Sequence, residues 1–426
     1  MFNALILAYY YPPMGLSGVQ RTLKFTKYMP KFNWQPTVIT TGKTAYYAHD
    51  FELLKEAEKA GVIIKRTESF DPNSLLKKMG TVKMPNEKLR KLMSNASKTL
   101  FIPDNKKFWS NKAYRFASSI LKSQQFDVLF VSIPPFSSFT AAAKLKKRFQ
   151  IPLIVDYRDS WHGNQFAFNP TPYHSYKHKR LEDSALRAAD KIIVVNRMIK
   201  ENLLKTFQFL TFDDVVIIPH GFDAEDFENV APIKEHTNKM KVLYSGIFYE
   251  NVTPKFLLRA FKILTKERPD IAANIELQFV GHLRKENIKF IKRLGLEGFV
   301  KNFGYLNHKE TVRKIVSADV LWVMLGKKNM RNVSAGKFFE YIGSRKPILA
   351  TVPEGATKSA AEKYGASYLA KPEDINSIKK TIIKLHDDFI ANKLPKPDED
   401  FIQQHNRENL TQQLTKIFQF YLRTDL

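Results

Sequence analysis

Between Asn332 and Ala350 the chain reads NVSAGKFFEYIGSRKPILA, a stretch rich in residue types that hold phosphorylated ligands. Ser334, Ala335 and Gly336 form a small-residue turn ahead of a helical segment, whose first amides have no intrahelical partners. Such an end carries roughly half a positive charge and suits an anion. Lys337 adds a mobile cation there, and Glu340 falls one turn after Gly336. Free amides and an ammonium match a diphosphate, while a carboxylate accepts hydrogen bonds from ribose hydroxyls. An ordinary helix with a glycine start and a solvated glutamate fits the same letters, so the pattern leaves both readings open. Phe338, Phe339 and Ile342 supply apolar anchors, Gly343 and Pro347 close the helix, and Ile348 to Ala350 reads as a core strand.

A second group lies in IPLIVDYRDSW (151–161), where Asp156, Arg158 and Asp159 follow an apolar run. Asp159 is suited to orienting an attacking hydroxyl, and Arg158 to pairing with it or holding a phosphate. The structural alternative is an ion pair between Arg158 and an aspartate, with Trp161 as core. Gly15 and Gly18 sit in the turn PPMGLSG, and glycine lets backbone approach an anion closely. Arg21, one turn into the next helix, faces either phosphate or solvent. Gly246 and Gly281 each end an apolar run. The ten histidines show no metal-ligand spacing, so no metal site is expected.

These residues need elements to position them. A chain of 426 residues exceeds one ordinary core, so two domains are expected. Hydrophobic content of 44% and aromatic content of 13% describe a folded protein. The absence of cysteine excludes disulfides, thiolate metal sites and cysteine nucleophiles, in keeping with a reducing compartment. The opening MFNALILAYYYPP reads as a buried strand, not a signal peptide, and no stretch is long enough to span a bilayer.

The formal charge is +26 and uneven: residues 1–219 hold 34 basic against 17 acidic side chains, and the remainder 34 against 25. Lys77 to Lys122 carries twelve basic residues against Glu87 and Asp104. Such a surface attracts anions. Without a zinc finger, an RNA-binding aromatic signature or basic-zipper heptads, nucleic acid is not the expected partner.

Apolar runs and helical periodicities alternate along the chain. Strands are expected at 4–9, 36–41, 62–65, 126–132, 152–156, 191–196 and 215–219, then at 241–245, 276–280, 300–303, 320–324 and 348–350. Helices are expected between them, including 19–29, 141–148, 181–189, 255–266, 287–294 and 309–317, with a basic helical insertion over 70–125. Adjacent prolines at 134–135 are expected to stop regular structure. This pattern predicts two doubly wound parallel-sheet domains facing across a cleft: an N-terminal domain over 1–220, a linker over 221–240 and a C-terminal domain over 241–400. Residues 401–426 are expected to form a helix packing back on the first domain through Leu410, Leu414, Ile417, Phe418 and Tyr421.

The chain resembles the family 4 glycosyltransferases of the GT-B fold, especially bacterial enzymes of surface-polysaccharide assembly. The resemblance runs through YYPPMGLSGVQR (10–21), FDVLFVSIPPFSS (126–138), IPLIVDYRDSW (151–161), ADKIIVVN (189–196), IPHGFD (218–223), LYSGIFY (243–249), FVGHL (279–283), SADVLWVML (317–325) and AGKFFEYIGSRKPILA (335–350). It implies a retaining, metal-independent transfer of a sugar from a nucleotide diphosphate-sugar, used as co-substrate with no other cofactor, to a hydroxyl of a lipid-linked or growing surface glycan. Gly15 and Gly18 then correspond to the loop near donor diphosphate and acceptor, and Glu340 to the family's second, ribose-binding glutamate. Lys337 and the amides near Gly336 hold phosphate, and Gly246 and Gly281 line the donor pocket. Arg331, Asn332, Ser334 and Ala335 belong to the donor side, and Asp159 and Arg158 to the acceptor side.

Two departures stand out. Asn332 occupies the place of the first of two family glutamates. Ile247 and Val252 stand where phosphate-binding cations are usual, leaving Lys255, Lys327, Lys328 or Arg331 as substitutes. They raise the alternative of a catalytically silent GT-B subunit of polysaccharide assembly. A nucleotide-sugar epimerase shares the architecture but calls for paired carboxylates and a histidine that the sequence does not identify. His220 is expected as a hinge residue. The basic insertion, with Phe101, Ile102, Phe108 and Trp109, suggests a cytoplasmic protein resting on the anionic inner face of the plasma membrane, with core packing as the alternative.

Overall fold

The computed structural model describes residues 1–68, 81–82, 87–163, 167–233, 238–249, 252–327 and 330–422. Part of the expected basic insertion, including Lys77, Lys78 and Lys83, and the candidate cation Lys328 lie outside the described residues. The chain divides into two compact units, 1–219 with 407–426, and 220–406.

The first unit is built on seven parallel strands: β1 (Phe2–Leu7), β2 (Trp34–Thr41), β3 (Ile63–Thr67), β4 (Val128–Ile133), β5 (Leu153–Tyr157), β6 (Lys191–Val194) and β7 (Val215–Ile217). Their order is β3-β2-β1-β4-β5-β6-β7. The central strands read as predominantly apolar, with Asn3, Ser132 and Asp156 the polar exceptions in β1, β4 and β5, because helices cover both faces of a parallel sheet. Leu5 and Leu7 pack into one core layer with Trp109 and Val131, while Ala4 and Ile6 pack into the other. The final helix Arg407–Phe420 belongs to this unit, and Leu410, Leu414 and Phe418 are fully buried in that second layer beside Trp34 and Phe130.

The second unit holds six strands: β8 (Met240–Ser245), β9 (Ile275–Val280), β10 (Val300–Gly304), β11 (Val320–Met324), β12 (Ile348–Thr351) and β13 (Ser367–Ala370). Their order is β10-β9-β8-β11-β12-β13, again all parallel. Strand order reverses between β1 and β4 and between β8 and β11, where ligands of such sheets gather beyond the carboxyl ends.

Several expectations are corrected. The described part of 221–240 clusters with the second unit: Phe222 is buried against Phe227, and the Ile233 amide donates to Ser317 Oγ at 2.8 Å. Helix Glu399–Gln404 also stays with the second unit, so the return to the first begins at Arg407. Pro134 and Pro135 end β4 but do not interrupt further structure. Helix Phe136–Phe149 starts directly after Pro135 at its N-cap, where a missing N–H costs nothing. Trp109 is completely buried and is core, not a surface anchor.

Candidate functional site

Gly246 directly follows β8, and Gly281 directly follows β9. Both have left-handed φ, 140° and 119°. The Gly246 amide donates to Val280 O at 2.8 Å, and the Gly281 amide to Gly304 O at 2.6 Å. The two turns are so close that a Cβ on Gly281 would overlap the Gly246 carbonyl oxygen. A Cβ on Gly246 would overlap Lys337 Nζ, so this lysine's ammonium lies directly on the first glycine turn.

The helix Gly336–Tyr341 delivers Lys337, and its Ala335 N-cap supplies no side-chain cap. Phe338 and Phe339 are buried, as the apolar spacing predicts. Two polar contacts fix the helix on the end of β8. Lys337 Nζ donates to Tyr244 Oη at 2.7 Å and lies 3.9 Å from that ring's centroid. The Ser245 amide donates to Tyr341 Oη at 2.7 Å. Tyr244 is itself stacked on Phe248 at 4.2 Å and leans on Trp322. Burial drives the Tyr244 phenol far above its usual range, so it stays a neutral acceptor for the ammonium. Burial also lowers Lys337 from 10.5 to about 7, with the Glu340 carboxylate opposing the drop. The result is a lysine poised between charged and neutral near physiological pH.

Glu340, its side chain about three-quarters buried, lies one turn along. Its Oε1 faces His308 Nδ1 at 3.5 Å, and His308 Nε2 lies 2.8 Å from Asp226 Oδ2. The preceding loop is pinned from behind: the Ala335 amide donates to Thr357 Oγ1 at 3.0 Å, which donates to Val333 O at 2.7 Å. Arg331 is exposed, and its carbonyl accepts from the Ala356 amide at 2.8 Å. Asn332 and Ser334 are half-buried, and Gly336 is exposed with open space on its Cβ side. Gly246, Gly281 and the pair Lys337 and Glu340, predicted from three separate stretches, thus share one neighbourhood. Tyr244, Tyr341, His308, Asp226 and Thr357 complete it and were not anticipated. The Tyr244 position in LYSG, two before the glycine, was the available signal.

The first unit gathers a different group. Arg158 spends its guanidinium on backbone carbonyls: Nε to Ile133 O at 3.2 Å, Nη1 to Gly18 O at 2.7 Å and Nη2 to Pro134 O at 3.1 Å. It thereby ties the start of the helix that follows β1 to the end of β4, on either side of the strand-order reversal. Gly15 is buried, its amide donating to Ala48 O at 2.9 Å, while Gly18 is exposed in the first turn of helix Ser17–Tyr28. Arg21 faces neither phosphate nor solvent. It is buried, with Nε 2.9 Å from Asp156 Oδ1 and its two terminal nitrogens donating to Pro219 O and Ile218 O. Asp156 also accepts from Ser132 Oγ at 3.0 Å, so this pair is structural. Asp159 is half-buried, and burial raises its pKa; the Arg158 charge opposes this and Asp156 adds to it. Behind it, buried Glu182 accepts from Tyr157 Oη and, at 2.9 Å, from the His162 amide, while the Trp161 amide donates to Tyr157 Oη at 2.7 Å. Burial lifts Glu182 to about 7. Trp161 stacks on Phe136 at 4.8 Å, as core. His220 is half-buried with its ring 6.1 Å from that of Phe339.

Family models match most of the chain: Glycosyltransferase Family 4 over 85–226, and Glycosyl transferases group 1 over 226–405. No curated protein matches it by sequence. Among solved structures, it superposes on a glycosyltransferase from Rickettsia africae at a TM-score of 0.66 and 14% identity, covering 100% of this chain and 99% of that one. Sucrose-phosphate synthase from Thermosynechococcus elongatus gives 0.67 and 14% over 99% of each. Anabaena HepE, in complex with UDP and glucose, gives 0.63 and 15% over 98% of this chain and 100% of that one.

Proposed function

Because the chain belongs to the family 4 glycosyltransferases of the GT-B fold, we propose that it transfers a sugar, with retention and without a metal ion, from a nucleoside diphosphate-sugar to a hydroxyl of a lipid-linked or surface glycan. The observation that carries this reading is the Lys337 ammonium, held by Tyr244 against the Gly246 turn with Glu340 one helical turn on. Lys337 meets the diphosphate and supplies charge where Ile247 and Val252 supply none. Glu340 accepts from the ribose, and Gly281 leaves room beside Gly246. Arg331, Asn332, Ser334, Ala335 and Gly336 form the rest of the donor side.

As the acceptor oxygen bonds to the anomeric carbon, the bond from that carbon to the diphosphate breaks. Lys337 stabilises the departing negative charge, and the acceptor proton passes to a departing phosphate oxygen. Asp159 orients the acceptor hydroxyl, and Arg158 acts as a positioning residue by holding the Gly18 carbonyl beside the β4 loop. The relevant measurement is nucleotide release from UDP- and GDP-sugars by the unmutated protein and by Glu340→Ala. A loss of about tenfold or more is expected for Glu340→Ala, the scale of a hydrogen-bonded charged contact. Equal turnover by both refutes the assignment. Nucleotide binding without turnover would instead favour the silent assembly subunit, the reading that Asn332 supports.

We further propose that the first unit rests on the anionic inner face of the plasma membrane. Helix Glu87–Leu100 exposes Leu92, Met93 and Leu100 and carries Arg90, Lys91 and Lys98; Phe108 is also exposed. No helix among the described residues is long and apolar enough to cross a membrane. Contact of this kind combines apolar insertion with attraction to acidic lipid. Unchanged sedimentation with anionic vesicles at low salt would remove it.

A further inference from the structure

Glu340 is a flexible side chain on a six-residue helix, yet an orderly ribose contact needs its carboxylate in one orientation. His308 faces it from another element. It opens the helix His308–Ser317, whose start is fixed by a capping box: Asn307 Oδ1 accepts from the Glu310 amide at 2.8 Å, and Glu310 Oε2 from the Asn307 amide at 3.3 Å. The His308 ring has a carboxylate at each nitrogen, Asp226 Oδ2 at 2.8 Å and Glu340 Oε1 at 3.5 Å, and all three side chains are at least about three-quarters buried. Asp226 is anchored in its turn, its amide donating to Asp223 O at 3.2 Å. An imidazole restrained through one nitrogen has its plane and the direction of the other fixed.

We infer that His308, held by Asp226, is a positioning residue that pre-orients the Glu340 carboxylate for the ribose diol of the donor nucleotide. The inference rests on the nucleotide-site reading above. A carboxylate has acceptor positions for both hydroxyls of a diol as well as for a neighbouring ring, and His308 approaches this one at Oε1. Without the ring, the part of that ordering which His308 supplies falls at the moment of binding, which weakens affinity.

The test is calorimetric titration with UDP and 2′,3′-dideoxy-UDP, or with the corresponding guanosine pair if GDP binds the unmutated protein more tightly. His308→Ala is expected to weaken binding of the ribonucleotide about three- to tenfold, the scale of ordering one side chain. It should leave the dideoxy compound, which cannot engage Glu340 through its ribose, within about twofold on the same scale. Asp226→Asn preserves side-chain shape and should show a smaller loss with the same selectivity, which keeps the test decisive if His308→Ala folds poorly. Equal losses on both nucleotides, or none on the ribonucleotide, overturn the inference. If neither UDP nor GDP binds the unmutated protein, the nucleotide-site reading itself fails and takes this one with it.

Discussion

Lys337 titrates near 7 because burial lowers it, so its charge changes where a nucleotide is measured most easily. The perturbation is pH. A diphosphate seated on Lys337 favours the ammonium and restores its pKa, so binding takes up a proton whenever the free site is neutral. With a free-site pKa of about 7, the charged fraction falls from about one half at pH 7 to about one hundredth at pH 9, so affinity for a nucleoside diphosphate should fall up to about 50-fold over that interval. The sign is that of a cation depressed in the free protein: affinity is greatest below 7 and is lost as pH rises. The second ionisation of a terminal phosphate lies near 6, below this window.

Titration calorimetry at pH 8 in two buffers of different ionisation enthalpy should give an uptake of about 0.9 proton per ligand bound. Lys337→Met, which retains an apolar stem against Tyr244, should bind more weakly and lose both the slope and the uptake. Affinity that stays level between pH 7 and 9, or the same slope in Lys337→Met, would refute the assignment of diphosphate to this lysine.

Buried Glu182 should make stability depend on pH in the opposite manner to an ion-paired carboxylate. Its folded pKa of about 7 lies above the unfolded value of 4.5, so stability is complete below 4.5 and lost as pH rises through 7. Between pH 5 and 8, the stability difference between Glu182→Gln and the unmutated protein should move in favour of the variant, by up to about 3 kcal/mol in denaturant titrations. A pH-independent difference would count against a buried neutral carboxyl. Gly281→Ala should destabilise by about 2–4 kcal/mol, because its Cβ meets the Gly246 carbonyl at a left-handed φ. Gly336→Ala, with open space at that position, should stay within about 0.5 kcal/mol in the same thermal or denaturant assay while weakening diphosphate binding.

The parallel sheets were legible because a strand covered on both faces must be mostly apolar: β11 reads VLWVM, β4 has Ser132 as its one polar residue, and β1 is apolar from Ala4 to Leu7. The glycines that end β8 and β9, and the lysine that meets them, were legible for a related reason: β-α turns in such sheets come together at the carboxyl ends. The partners were less legible. Tyr244 and Lys337 are 93 residues apart, Arg21 and Asp156 135, and His308 and Asp226 82, so topology brings them together and local pattern carries no trace of it. Asn307 is the partial exception, since its capping box with Glu310 marks where His308 begins a helix, though not what the ring faces. The prolines at 134–135 end β4 as expected; what the pattern missed is that the next helix starts directly after them, at Phe136 and not 141, because proline is tolerated at a helix start.

Arg158 and Lys337 show why a cation near a strand end is ambiguous as a letter in the sequence. Both reach the turn beyond the first strand of their own sheet. Arg158 does so by giving Nε and both terminal nitrogens to carbonyls, including that of Gly18. A guanidinium cannot lose its proton at ordinary pH and has a planar fork of donors, so it suits a permanent tie between loops. Lys337 rests on a phenol oxygen and a ring face, neither of which carries a full negative charge. Its ammonium is therefore under-compensated, and burial drives its pKa down. The same chemistry that depresses a lysine in the free protein favours an anionic ligand, because the ligand supplies the missing countercharge. An arginine at 337 would remain charged whether or not ligand was present, and its larger planar head would have to fit where Lys337 Nζ already lies on the Gly246 turn. The choice of lysine at one turn and arginine at the other thus separates a cation whose charge responds to its surroundings from one committed to the scaffold.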